Sequence, residues 1–196
     1  EQHDGMRRAA RAAQTAGTPW VLDPVAVGGL PVRTELAREL LRFNPSAVRA
    51  NASEILGLVG ESGGGRGVDS TDEVESVLHA ARRLAERSGV VAVSGPTDVV
   101  VSDGRTTRIT GGDPMMTLVI GTGCSLGAFA AACIAAARSA DIADHDGVVA
   151  AHALWSAAGT VAARTTTAPG SFRTAWIDAL YTVSPEDVAH IVQIEE

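Results

Sequence analysis

The chain has 196 residues, of which 45% are hydrophobic, 20% charged and 4% aromatic, with 16 basic against 23 acidic side chains and a net charge of −7. These proportions suit one globular domain over 1–196 with a core of Ala, Val, Leu and Ile. The basic residues are scattered, which argues against a nucleic-acid partner, because phosphate-backbone binding needs a concentrated positive surface.

In chain order, residues 4–16 read as a helix with Gly17 as its stop. The first residues are charged and lack an apolar h-region, so no secretory signal is expected there. Residues 19–22 form a short apolar strand ending at Asp23-Pro24, and 25–30 continue as a glycine-bearing loop. An acid at the carboxyl end of a strand in an α/β protein sits where ligands bind, although Asp23 also suits a turn before proline. A helix is expected over 32–43 and a brief strand over 47–50. Asn51 then opens a helix with Glu54 three residues on, the spacing of a capping box, so Glu54 is either a cap or a metal ligand. Residues 61–69 read as a glycine-rich loop able to cover a site. A helix follows over 71–88, then a continuous apolar strand, 90–95, of the kind buried on both faces. Ser94 ends that strand, where its hydroxyl meets either ligand or backbone. Alternating residues around Asp103-Gly104 predict a hairpin of 97–102 with 105–110.

The stretch 111–137 organises the rest. A glycine-rich loop runs into Gly121-Thr122-Gly123-Cys124 and then a long run of small apolar residues. The first N–H groups of a helix lack intrahelical partners and, with the helix dipole, make an anion site. The same loop-to-helix pattern also arises for packing alone. The apolar run 118–137 approaches membrane-span length, but Gly121, Thr122, Gly123, Ser125 and Gly127 interrupt it and no anchors flank it, so a buried helix and no membrane partner are expected. Cys124 and Cys133, the two cysteines, fall nine positions apart in this helix. At helical rise that is ~13 Å, too far for a disulfide, and a reducing cytoplasm is expected. Beyond it lie a polar connection, 141–146, and an Ala-rich helix, 147–164, with His152 and Trp155. His152 is read as a packing histidine before a catalytic one. Helices over 171–182 and from Ser184-Pro185 complete a mainly parallel α/β sheet covered by helices, with one hairpin.

Three separated elements are candidates for one phosphoryl-transfer site. Asp23 and Glu54 offer carboxylates for Mg²⁺, Arg49 offers a cation for phosphate, and the Gly121, Thr122 and Gly123 amides offer an anion hole beside Cys124. Neither a Walker A pattern nor a protein-kinase signature is present.

The chain resembles the hydroxyethylthiazole kinases, a ribokinase-like family. The resemblance lies in Asp23-Pro-Val-Ala-Val-Gly28, Arg49-Ala-Asn-Ala-Ser-Glu54, Gly67-Val-Asp69, Val93-Ser-Gly95, and GGDP followed by GTGC, in the family's order over nearly the whole chain. It implies a ribokinase-like fold and transfer of the ATP γ-phosphoryl to 4-methyl-5-(2-hydroxyethyl)thiazole in thiamine salvage. Related alternatives are a pyrimidine-alcohol kinase, an ATP-dependent hydrate dehydratase or a non-catalytic nucleotide-binding module. By position, the resemblance makes Arg49 and Ser94 ATP-binding residues and Gly121 a substrate contact, and places Asp23 and Glu54 near Mg²⁺. Cys124 takes the place of an aspartate base found in relatives with GAGD. Arg66 stands where a lysine is common. The family also implies a further N-terminal strand–helix region, which nothing here matches, and a homotrimer when that region is present.

Overall fold

The computed structural model describes residues 2–61 and 71–196. The predicted loop 61–69, with Arg66, Gly67 and Asp69, therefore lies outside the described residues except for Glu61. Helix α1 (Gln2–Ala16) leads to strand β1 (Val21–Leu22), helix α2 (Pro31–Leu40) with a 3-10 turn Leu41–Phe43, and strand β2 (Ala47–Asn51). Then come α3 (Ala52–Val59), α4 (Thr71–Ser88), β3 (Val90–Ser94), β4 (Thr97–Ser102) and β5 (Arg105–Thr110). A 3-10 helix, Pro114–Leu118, precedes α5 (Thr122–Ser139), α6 (Asp144–Ala163), α7 (Pro169–Thr182), α8 (Pro185–Ile191) and β6 (Gln193–Glu195).

The strands form one sheet in the order β1-β2-β3-β4-β5-β6. Pairing is parallel from β1 to β3 and antiparallel from β3 to β6. The parallel part expected from the sequence is thus the β1–β3 half, and the hairpin plus β6 make the sheet mixed. β6 was not foreseen: its three residues are all exposed, so no burial pattern marks it.

Alternation along the strands sends side chains to two cores. Leu22, Val48, Ala50, Val91, Val93 and Val101 pack under α1 to α4. Ala47, Val90, Ala92, Val100 and Ile109 pack on the other face against Ile134 of α5 and Val148, Ala153 and Ala157 of α6. Burying each Val or Ile side chain in such a layer contributes ~1.5–3 kcal/mol. A third cluster joins α5, α6 and α7, where Trp155 stacks on Phe129 at 5.2 Å and meets the edge of Trp176 at 4.9 Å between centroids.

Two helices differ from expectation. α5 buries one face only, through Thr122, Leu126, Gly127, Ala130, Ile134 and Ala137, while Cys124 and Ser125 are exposed. Its residues are small on every side, so the sequence carries little contrast between faces. α6 starts at Asp144, earlier than predicted, because Asp144 and Asp146 suit a first turn and Asp144 also pairs with Arg138 at 2.6 Å. Among the described residues, no helix is long and apolar enough to cross a membrane.

α6 carries two buried histidines two turns apart. His145 Nδ1 lies 2.7 Å from Ser102 Oγ and its Nε2 2.8 Å from Thr107 Oγ1. Burial, and then the nearby charge of Arg105, hold its pKa below the ordinary 6.5. The unfolded chain therefore takes up this proton more readily than the folded one. Stability present above the unfolded value is lost as pH falls from there toward the folded value. The melting midpoint is expected to drop as pH falls below about 6.5, and His145→Gln to flatten that slope. An unchanged slope in the variant would assign the effect to other groups.

Candidate active site

The site forms at one edge of the sheet because of strand parity. Val21, Ala47, Val90 and Val100 face α5 and α6, and residues an even number of positions away along each strand face the same way. Parity therefore puts Asp23 after β1, Arg49 in β2, Ser94 in β3 and Asp98 in β4 on that face. The parallel strands β1 to β3 end, and the antiparallel β4 begins, at this edge. The four side chains consequently stand in a row.

Asp23, Arg49 and Ser94 are bonded to one another, and Asp98 is held by the Gly95 backbone and by His152. Arg49 Nη1 lies 3.2 Å from Asp23 Oδ1, and Arg49 Nε donates to Ser94 Oγ at 3.1 Å. Asp98 Oδ1 accepts from the Gly95 N–H at 2.9 Å, and Asp98 Oδ2 lies 2.7 Å from His152 Nδ1. The Asp23 and Arg49 side chains are 21% and 17% exposed, so their charges meet in a partly dry environment. Burial pushes the Asp23 carboxyl above its ordinary pKa. Arg49 opposes this, the Glu54 carboxylate adds to it, and His152 lowers it slightly.

α5 approaches this row with its N-terminal end. Gly121 caps it at φ 104°, a left-handed conformation that glycine adopts without strain, and opens the first turn of N–H groups. Gly123 and Gly127 lie one turn apart against the ion pair. A Cβ on Gly123 would stand 3.3 Å from Arg49 Nη1, and one on Gly127 would stand 2.7 Å from Asp23 Oδ2. Thr122 does not turn its hydroxyl outward: Oγ1 donates to the Met116 and Val119 carbonyls at 2.9 and 3.0 Å. What Thr122 offers an anion is its backbone N–H. Trp155 Nε1 holds the Thr122 carbonyl at 2.9 Å, fixing the start of α5 on α6.

Two cavities meet at the ion pair. Arg49, Ser94, Thr122 and Gly123 line a cleft of about 710 Å³ floored by Trp155 and Met116. Asp23 lines a groove of about 660 Å³ on the α1 side, with Trp20, Leu22 and Leu36. The first cleft is also bounded by Gly112 and Asp113. Asp113 caps the 3-10 helix by accepting from the Met115 N–H at 2.8 Å, and Thr160 Oγ1 accepts from the Gly112 N–H at 3.0 Å.

Glu54 is the capping residue the spacing suggested. Asn51 Oδ1 accepts from the Glu54 N–H at 3.0 Å, and Glu54 Oε2 accepts from the Asn51 N–H at 3.1 Å. Its other oxygen, Oε1, accepts from the Ala26 N–H at 2.9 Å. That bond pins the loop after Asp23, where Ala26 holds φ 58°. Glu54 therefore sets the loop around Asp23. Cys124 is exposed on the first turn of α5, outside the cleft wall formed by Gly123. Cys133 is half buried, and burial pushes its thiol pKa up. Among the described residues, no group of three or more His, Cys, Asp and Glu side chains is arranged as a ready metal cage.

Sequence reading missed Asp98 and Gly127. Asp98 has the parity of Val100, so the pattern held a trace of it. Gly127 looked like one more small residue in a small-residue helix.

A mixed sheet, parallel from β1 to β3 and covered by helices on both faces, is the fold of the ribokinase-like kinases. A hydroxyethylthiazole kinase structure from Pyrococcus horikoshii OT3 superposes with a TM-score of 0.83 at 27% identity, covering 98% of this chain and 71% of that one. Pyridoxal kinase from Staphylococcus aureus shares the fold, with a TM-score of 0.61 at 17% identity over 81% of this chain and 58% of that one. Residues 1–186 match the hydroxyethylthiazole kinase family, and the chain belongs to that family. Relatives named hydroxyethylthiazole kinase in Corynebacterium glutamicum (strain R) and Corynebacterium efficiens are 55% and 52% identical over the whole of this chain. The chain spans 74% and 73% of their lengths.

Proposed function

We propose that this chain transfers the γ-phosphoryl of ATP to the hydroxyl of 4-methyl-5-(2-hydroxyethyl)thiazole, a salvage step toward thiamine. The observation that carries the proposal is the bonded row Asp23–Arg49–Ser94 packed against the N-terminal turns of α5 beside the 710 Å³ cleft, which Arg49 and Ser94 line. Positive groups converge there from two directions, a guanidinium from the sheet and N–H dipoles from the helix. Phosphoryl transfer is catalysed mainly by such positioning and charge stabilisation.

In this reading Arg49 and Ser94 bind ATP, and Arg49 neutralises phosphate oxygens while Asp23 holds its guanidinium in place. Gly121 contacts the acceptor, and the Gly121, Thr122 and Gly123 backbone forms the anion hole. Mg²⁺ fits the carboxylates present: Asp23 carries a charge made costly by burial and by Glu54, and each Glu54 oxygen retains a lone pair beyond its N–H bond. Asp23 and Glu54 would hold the ion, which when bound neutralises phosphate charge. Cys124, exposed on the first turn of α5 beside the cleft wall, is the group assigned to receive the acceptor's proton. The protein acts as a cytoplasmic single-domain enzyme and, with the family's N-terminal region, as a homotrimer.

The test is ADP release in a coupled assay with the full chain. Release with the thiazole alcohol and not with a pyrimidine alcohol is expected. Nucleotide binding without turnover on any alcohol would overturn the kinase reading in favour of a non-catalytic module. Cys124→Asp is expected to retain or raise turnover, because a carboxylate is the more reliable base at this position. Complete loss of activity with intact folding would remove Cys124 from its proposed place.

A further inference from the structure

His152 is wholly buried on α6, and its two ring nitrogens are treated differently. Nδ1 lies 2.7 Å from Asp98 Oδ2, whereas Nε2 has no hydrogen-bond partner among the described residues. An ionised carboxylate only accepts, so Nδ1 carries the proton of that bond, and Nε2 is left without a partner among the described residues. A buried polar atom without a partner costs stability, and an apolar side chain would avoid that cost. His145, two turns earlier on α6, shows the contrast: both its nitrogens are satisfied.

Asp98 is held by His152 on one oxygen and spends the other on the Gly95 N–H at 2.9 Å. Ser94, Gly95 and Asp98 all line the 710 Å³ cleft, and Ser94 Oγ accepts from Arg49 Nε. We infer that His152 is a positioning residue: through Asp98 it fixes the 94–98 turn, and through that turn the placement of Ser94 and Arg49 on the nucleotide side of the cleft. The inference rests on the kinase reading for its kinetic form, and on the hydrogen-bond chain alone for its structural form.

The variants are His152→Leu, which fills the space without a donor, and His152→Asn, whose amide N–H replaces Nδ1–H. In the full chain, His152→Leu should raise the KM for ATP about tenfold and leave the KM for the thiazole alcohol nearly unchanged, with His152→Asn recovering most of the loss. In hydrogen exchange, the Gly95 amide should exchange faster in His152→Leu, with protection of the Val91 amide in the core of β3 retained, and should regain protection in His152→Asn. A wild-type chain without turnover would sink the kinase reading and leave the exchange result to decide this one. Gly95 protection unchanged in His152→Leu, or lost equally with that of Val91, would overturn the inference, as would equal rises in both KM values.

Discussion

Replacing Arg49 by Met is expected to lower kcat/KM by roughly 10²–10³-fold while the chain still folds, since one preorganised charge donor in a dry site is worth about that much. Arg49 joins Asp23 through Nη1 and Ser94 through Nε, so a single planar fork organises the ends of three strands. Arg49→Lys should recover little, because an ammonium is a point charge and cannot hold both partners in the same plane. With the guanidinium gone, burial and Glu54 act on Asp23 with less opposition. Its carboxyl moves further up, and a larger share is neutral at the working pH. Steady-state kinetics with circular dichroism as the folding control measures this. Activity within about threefold of wild type in Arg49→Met would remove the ion pair from the catalytic account.

Gly127→Ala should cost roughly 100-fold in activity, the scale on which a displacement of about 1 Å at a catalytic group is felt. Helix propensity alone predicts the opposite sign for stability, since alanine is favoured over glycine in a helix interior by about 1 kcal/mol. Contact decides against propensity here. The new Cβ would stand 2.7 Å from Asp23 Oδ2 and 3.0 Å from Asp23 Cβ, so rotating the carboxylate does not relieve it. Either α5 withdraws from the sheet or Asp23 leaves Arg49. Gly5→Ala in α1 is the control, because nothing lies within 4 Å of a Cβ there. That change should raise stability by ~0.5–1 kcal/mol with wild-type kinetics. Gly127→Ala turning over like wild type would show that the close approach of α5 to Asp23 is not needed.

The two glycines look alike in the sequence, and each is one small residue in a helix. What separates them is a neighbour 104 positions away in the chain (Asp23 and Gly127), which no local pattern reports. Glu54 is the converse case. Asn51 and Glu54 lie on one turn, so the capping box was legible from spacing. The second duty of the same carboxylate, holding the Ala26 N–H 28 residues upstream, was not. The hairpin around Asp103-Gly104 was equally local, and it stands where alternation placed it.

By itself, the sequence determined what depends on neighbours along the chain: the apolar strands, the capped helices, the hairpin, the loop-to-helix junction at Gly121 and the motifs that mark the family. Strand parity even carried the shared face of Asp23, Arg49, Ser94 and Asp98. Tertiary structure alone decided how these parts meet. Strand order brought the four polar residues into one row, and the bare faces of Gly123 and Gly127 let α5 close on it. α6 supplied His152 to the far end of that row, where the sequence suggested a packing histidine before a catalytic one. Hydrogen bonds and steric contacts act over a few ångströms of space rather than along the chain, so only the packed sheet could assign them.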